Sequence, residues 1–203
     1  MGLSAILMAL LRREKTGLGD RIDLAMHDCL VAWLPNVLGP VFAENRAPVP
    51  KHERTWGGSA FYQIYETADA RHVVLGAQEI KFVRRLLTDL GRADFVGLCE
   101  QGPGPHQAPL VDFLRDVFRG RTRAEWQQYF AGLDVSFAPV NTLLEAVEDP
   151  QVAARDMILT DARGNRHLGA PIKFSDEPAR PSLRIPAYDE HGADIREIGR
   201  AHV

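Results

Sequence analysis

The sequence predicts an α/β protein in which an opening helix–turn–strand–helix passage leads into a smaller α+β unit. Three observations carry this. "GLSAILMALLRR" is a continuous apolar run ending in basic residues. "GSAFYQIYETADARHVVLGA" has the period-two alternation of a β-hairpin, and the stretch after it changes to helical spacing.

The first helix is expected over residues 3–13; apolar on every face, it needs cover on all sides, yet it begins at the first residue, so its surface along Leu3–Leu11 is expected to stand exposed in this chain. Its basic end, Arg12-Arg13-Glu14-Lys15, opposes the negative end of the helix dipole, and "KTGLGD" supplies the glycines for a stop and a turn. "RIDLAM" alternates as a short strand. "HDCLVAWLPNVLGPVFAEN" follows as a helix interrupted at Pro35 and at Gly39-Pro40. A layer of this kind needs more strands than one, so residues 1–45 look like the tail of a domain whose body is absent.

Residues 45–56 are polar and proline-bearing and read as a linker. The hairpin then occupies residues 61–76, with Phe61, Gln63 and Tyr65 on one face and Tyr62 and Ile64 on the other. Phe82, Leu86, Leu87 and Leu90 mark a helix closed by Gly91. Two amphipathic helices follow the "GPGP" at 102–105, and the second opens on the capping-box pair Thr122 and Glu125. "DVSFAPV" reads as a strand, "NTLLEAVEDPQVAARDM" as a helix or a helix pair bent at Asp149-Pro150, and "MILTDARGNRHLGAPIKFS" as a hairpin around Gly164-Asn165. The smaller unit spans 46–175, and 176–203 is a tail with little core.

Composition narrows the function. With 45% hydrophobic and 25% charged residues and a net charge of −3, the chain reads as a globular protein with no nucleic-acid surface. The apolar start is too short to span a bilayer, and its charges follow the run where a signal peptide places them before it. No membrane partner is expected. The two cysteines, Cys29 and Cys99, make no disulfide framework and fit a cytoplasmic setting.

Residues able to carry chemistry are few. The seven histidines fall in no metal-ligand spacing, and no metal is expected. His27-Asp28-Cys29 point in different directions on a helix and read as structural. Cys99 reads as a buried, inert thiol. Gly57-Gly58 permit positive φ and the close approach of a backbone or ligand, or else form a flexible lead-in to the hairpin. Glu79 stands where a strand ends and a helix begins, either as a solvent-facing acid favoured by the dipole or as an acid oriented toward a substrate or a histidine.

Three blocks resemble the family III CoA transferases (the CaiB/BaiF family), which include the α-methylacyl-CoA racemases. "GLGDRIDLAMHDCL" is similar to the family's strand-to-long-helix segment. "GGSAFYQIYETADARHVVLGAQEIKFVRRLL" is similar to the hairpin and helix of its small domain. "DVSFAPVNTLLEAVEDPQVAARDM" with "LGAPIKFSD" is similar to its later P-V…E-A…D-P…A-R…M and P-I…F-S run. The resemblance implies a family III CoA-transferase fold, truncated at the N-terminus: a remnant of a Rossmann-like large domain followed by the small domain. It implies chemistry on acyl-CoA thioesters, either CoA transfer between carboxylic acids or α-methylacyl-CoA racemisation, and an interlocked homodimer. Coenzyme A thioester is then the substrate, and no cofactor is permanently bound. The resemblance puts Gly57 and Gly58 in the active-site glycine loop, Tyr62 in the pocket lining, and Glu79 where racemases orient the catalytic histidine.

The catalytic Asp of the family lies in a G-D-x-x-G-G context just before the helix that opens this chain, with the histidine earlier still. Neither motif is present, so the chain is expected to be an inactive fragment whose Met1 is internal to a longer protein. The alternative is a non-catalytic interaction module or one half of a split enzyme. "IGRAHV", residues 198–203, replaces the family's closing helix. The codons ATC GGA AGA GCA CAC GTC would encode it and read as a sequencing-adapter string, so these six residues are expected to be artefactual.

Overall fold

The computed structural model describes residues 1–201, and His202 and Val203, the end of the segment expected to be artefactual, lie outside the described residues. The chain divides into two compact units, Met1–Val140 and Asn141–Val203.

The first unit opens with α1 (Gly2–Thr16), stopped by Gly17 in the left-handed conformation with its N–H bonded to the Arg13 carbonyl. The helix forms as expected, and its apolar surface stands uncovered as expected: Leu3, Leu7, Met8 and Leu11 are all more than half exposed. Residues 21–25 form neither helix nor strand, because no described neighbour offers them a hydrogen-bonding edge. The next segment splits into α2 (Met26–Ala32) and α3 (Pro35–Glu44). Pro35 sits in the first turn of α3, where its missing N–H costs nothing. Gly39-Pro40 does not interrupt the chain as expected, since Pro40 lies within α3.

The supposed linker is tied down. Arg46 reaches the carboxylates of Glu44 at 2.8 Å and Glu53 at 2.6 Å, and holds Glu53 below the ordinary carboxylate range. Its far end winds into a wide turn, Arg54–Gly58, closed by Gly58 N–H donating to the Glu53 carbonyl at 2.9 Å.

β1 (Tyr62–Glu66) and β2 (His72–Gly76) pair antiparallel with Ile64 opposite Val74. Their faces are those expected: Phe61 and Tyr65 are buried, while Tyr62 and Ile64 face outward. α4 (Ile80–Asp89) buries Val83, Leu86 and Leu87, and α5 (Val96–Glu100) follows a short turn. α6 (Ala108–Arg119) contributes Leu110, Leu114 and Phe118 to the core, and α7 (Arg123–Ala131) contributes Trp126 and Phe130. Both halves of the Thr122–Glu125 capping box are made. β3 (Phe137–Pro139) returns to pair antiparallel with β2, giving the sheet order β1-β2-β3. One face of this sheet meets α4, α6 and α7 through an aromatic core. Tyr65 stacks on Phe118 at 4.9 Å between ring centres, and Phe130 stacks on Phe137 at 4.0 Å.

The second unit holds α8 (Leu143–Val147), started by a second capping box of Thr142 and Glu145, and α9 (Pro150–Ala154), started by Asp149. The bend at Asp149-Pro150 is thus a helix pair. β4 (Ile158–Thr160) and β5 (Arg166–Leu168) form the expected hairpin, with Gly164 at φ +85° in its turn. One further helix, α10 (Gly192–Ala201), was not legible in the charged tail. No described helix is long and apolar enough to cross a membrane.

Candidate active site

The candidate residues gather where residues 52–60 meet 102–107. Gly57 has φ +84°, the left-handed region that favours glycine, and its carbonyl accepts from Gln63 Nε2 at 3.3 Å. Gly58 is glycine for a different reason. A Cβ there would lie 2.7 Å from the backbone of His52 and Glu53, closer than real Cβ atoms come. Its carbonyl accepts from Gly104 N–H at 2.8 Å. The peptide of Ala60 is gripped on both sides: its N–H donates to Gln107 Oε1 at 2.8 Å, and its carbonyl accepts from the Tyr65 hydroxyl at 2.7 Å. The glycine pair is therefore a braced turn, and the flexible lead-in that the residues alone also allowed is not what forms.

Two hollows flank this turn. One, of about 420 Å³, is lined by Lys51, His52, Gly57, Gly58, Gln107 and Arg115 among others. The other, of about 360 Å³, is lined by Arg54, Ser59, Gln78, Glu79, Cys99 and Gln107 among others. Gln107, only 2% exposed, belongs to the wall of both, and its Nε2 donates to the Gly102 carbonyl at 2.7 Å.

The predicted residues thus separate. Gly57 and Gly58 line the first hollow, Glu79 lines the second, and Tyr62 lines neither, standing on the outward face of β1. Glu79 is the residue before α4, in extended conformation, and its carboxylate makes no capping bond, which leaves it exposed at the cleft. Burial pushes the half-buried Cys99 thiol up to about 11, with the charge of Glu100 adding to the effect, so it is unreactive near neutrality. His27 and Asp28 are exposed along α2. Among the described residues, no group of three or more His, Cys, Asp or Glu side chains could hold a metal ion.

Sequence reasoning missed Gln78 and Gln107. The only local signal was the glycine pair Gly102 and Gly104, whose positive φ values of +85° and +152° turn the chain so that Gln107 enters the core.

Against this geometry, the model of CoA-transferase family III matches residues 1–192, and the chain belongs to that family. It is 32% identical to the α-methylacyl-CoA racemase of Mus musculus, covering 96% of this chain and 51% of the relative. It is 30% identical to a probable fatty acyl-CoA transferase of Mycobacterium tuberculosis, covering 93% and 52%. Among solved structures, a CaiB/BaiF family protein from Brucella suis superposes with a TM-score of 0.69 at 28% identity, covering 96% of this chain and 52% of that one. The chain spans about half the length of the curated relatives it matches.

Proposed function

We propose that this chain is the C-terminal half of an enzyme that acts on acyl-CoA thioesters, on the racemase-like side of the family. The observation that carries the reading is the exposed Glu79 carboxylate, uncommitted to capping, at the strand-to-helix junction beside a polar cleft. In this reading residues 1–45 belong to a Rossmann-like large domain, 46–175 form the small domain, and the working enzyme is an interlocked cytoplasmic homodimer.

The proton α to a thioester carbonyl is weakly acidic. Its removal needs a positioned base and stabilisation of the enolate oxygen where water is scarce. The Asp and His that exchange the proton belong to the part of the relatives' length that this chain does not span. Glu79 is a positioning residue: by accepting from one imidazole nitrogen of that His, it sets which nitrogen is free to act as base. The braced Gly57-Gly58 turn brings bare backbone close to the thioester, and Tyr62, on the outward face of β1, lines the pocket of the assembled enzyme. No resident cofactor is required, because the thioester itself acidifies the α-proton.

The test uses the full-length enzyme with an α-methylacyl-CoA in deuterated water. Deuterium should enter the α-position, read by mass spectrometry, without CoA passing to an added carboxylic acid. Transfer without exchange would move the enzyme to the CoA-transferase side. Glu79→Gln should lower kcat by roughly 10- to 100-fold with KM changed little, and an unchanged kcat reduces Glu79 to a surface acid.

A second reading, one half of a split enzyme, is favoured by the exposed apolar residues of α1, which suit a separate large-domain polypeptide. An adjacent reading frame ending in G-D-x-x-G-G would favour the split or clipped enzyme over a non-catalytic interaction module.

A further inference from the structure

On a residue that lines the cleft beside Glu79, one buried side-chain polar atom has no partner among the described residues. Gln78 Nε2 is buried, and no protein group accepts from it. Its neighbour makes the contrast clear. Gln107 lines the same cleft and satisfies both ends of its carboxamide, with Oε1 accepting from Ala60 N–H and Nε2 donating to the Gly102 carbonyl. The fold can therefore satisfy a buried glutamine at this place, yet leaves Gln78 wanting an acceptor. A buried donor without one costs folding stability, whereas an apolar side chain of the same shape costs nothing of the kind.

Gln78 is part of the cleft lining. The terminal torsion of glutamine turns in a broad well, so an oxygen entering the cleft draws the nitrogen out at little cost. The rim carries one cation, Arg54, and one anion, Glu79, whose charges offset each other for an incoming group. This favours an uncharged oxygen over a carboxylate.

We propose that Gln78 is a specificity-determining residue of the Glu79 cleft, donating a hydrogen bond to an uncharged oxygen, a hydroxyl or keto group, on the acyl portion of the thioester. The inference rests on the acyl-CoA reading above and narrows its substrate class to oxygen-bearing acyl groups. A plain hydrocarbon acyl group would leave the donor unpaired, and a site built to hydrogen-bond its substrate discriminates strongly against an analogue lacking the partner.

The test follows α-deuterium exchange into 3-hydroxy-2-methylbutyryl-CoA and 2-methylbutyryl-CoA, which both carry the α-methyl group and differ by one hydroxyl, in the full-length enzyme and its Gln78→Met and Gln78→Glu variants. The wild type should prefer the hydroxyacyl thioester in kcat/KM. Gln78→Met, which keeps the length but removes the donor, should cut that preference roughly tenfold while raising Tm by about 2 °C. Gln78→Glu, whose carboxylate can accept from the substrate hydroxyl, should keep part of the preference without the gain in Tm. A preference unchanged in both variants overturns the proposal, as does an equal loss on both thioesters, which would mean that Gln78 reads the CoA portion. A fall in Tm for Gln78→Met also overturns it, because the donor was then already satisfied. If the wild type turns over neither thioester, the acyl-CoA reading is what fails. Calorimetric affinities for the free β-hydroxy acid and its hydrocarbon twin then decide Gln78 independently: a weaker hydroxy-acid affinity in Gln78→Met supports the donor, and equal affinities refute it.

Discussion

Replacing Gly58 by alanine tests whether the glycine turn is braced. The added Cβ would stand 2.7 Å from the His52 carbonyl carbon and oxygen and from the Glu53 oxygen. Ordinary contact begins at 3.4 Å, so the two backbone segments must part by about 0.7 Å. That movement breaks the 2.9 Å bond from Gly58 N–H to Glu53 and disturbs the 2.8 Å bond from Gly104 N–H to the Gly58 carbonyl. Each bond contributes about 1 kcal/mol net. Overpacking adds about 1–3 kcal/mol, and the stiffer unfolded chain returns about 0.4–1 kcal/mol. The expected loss is about 2–4 kcal/mol. Gly57→Ala is the comparison: its site is open, with Lys51 Cγ nearest at 3.9 Å, so only the positive φ counts, at about 1–2 kcal/mol. Gly97, in α5 with nothing within 4 Å, should gain about 0.5–1 kcal/mol as alanine. Urea titration followed by tryptophan fluorescence reads all three through the midpoint, provided the slope is unchanged. If Gly58→Ala costs no more than Gly57→Ala, the bracing argument is wrong.

Thr122→Ala removes the cap of α7 and should cost about 1 kcal/mol; Thr122→Ser should recover most of it in the same titration, and a neutral Thr122→Ala would mean the box is idle. Asp161 accepts from Asn165 Nδ2 and from the N–H groups of Asn165 and Arg163, and these bonds, with His167 also contributing, hold its carboxyl below the ordinary range. The unfolded chain therefore takes up this proton first. The contribution is complete above the unfolded value near about 4 and is lost as pH falls toward the lower folded value. Amide protection in the β4–β5 turn, taken relative to the intrinsic exchange rate at each pH, should hold from about pH 7 to 5 and fall only in stronger acid, whereas loss of protection above about pH 5 would assign the turn to another group. Cys99, pushed up to about 11, should react with iodoacetamide at pH 8 roughly a hundredfold more slowly than an ordinary thiol, with the rate rising tenfold per pH unit. Fast, pH-independent labelling would contradict its burial.

Much of the fold was legible because its signals are local. The hairpin faces follow from the alternation of Phe61, Gln63 and Tyr65 with Tyr62 and Ile64, and the α7 cap from Thr122 and Glu125 three residues apart. The same spacing at Thr142 and Glu145 went unread, although the box forms. An error arose where a partner was required. Residues 21–25 alternate like a strand, but a strand exists only by pairing, and no described edge pairs with them. The exposure of α1 followed from the same logic: an apolar run needs something laid against it, and its leucines stand exposed as expected.

The candidate site divides in the same way. Glu79 and the two glycines stood out because strand ends, helix starts and glycine pairs are visible along the chain. By itself the sequence determined the hairpin, the helices that pack on it, and the ordered blocks that mark the family. Only the tertiary structure decided that Gly58 has no room for a side chain, that Gln107 reaches across 47 residues of sequence to hold Ala60, and that Gln78 is left without an acceptor beside Glu79. Local propensity and periodicity are properties of neighbours in the chain, whereas steric closure and hydrogen-bond satisfaction are properties of neighbours in space.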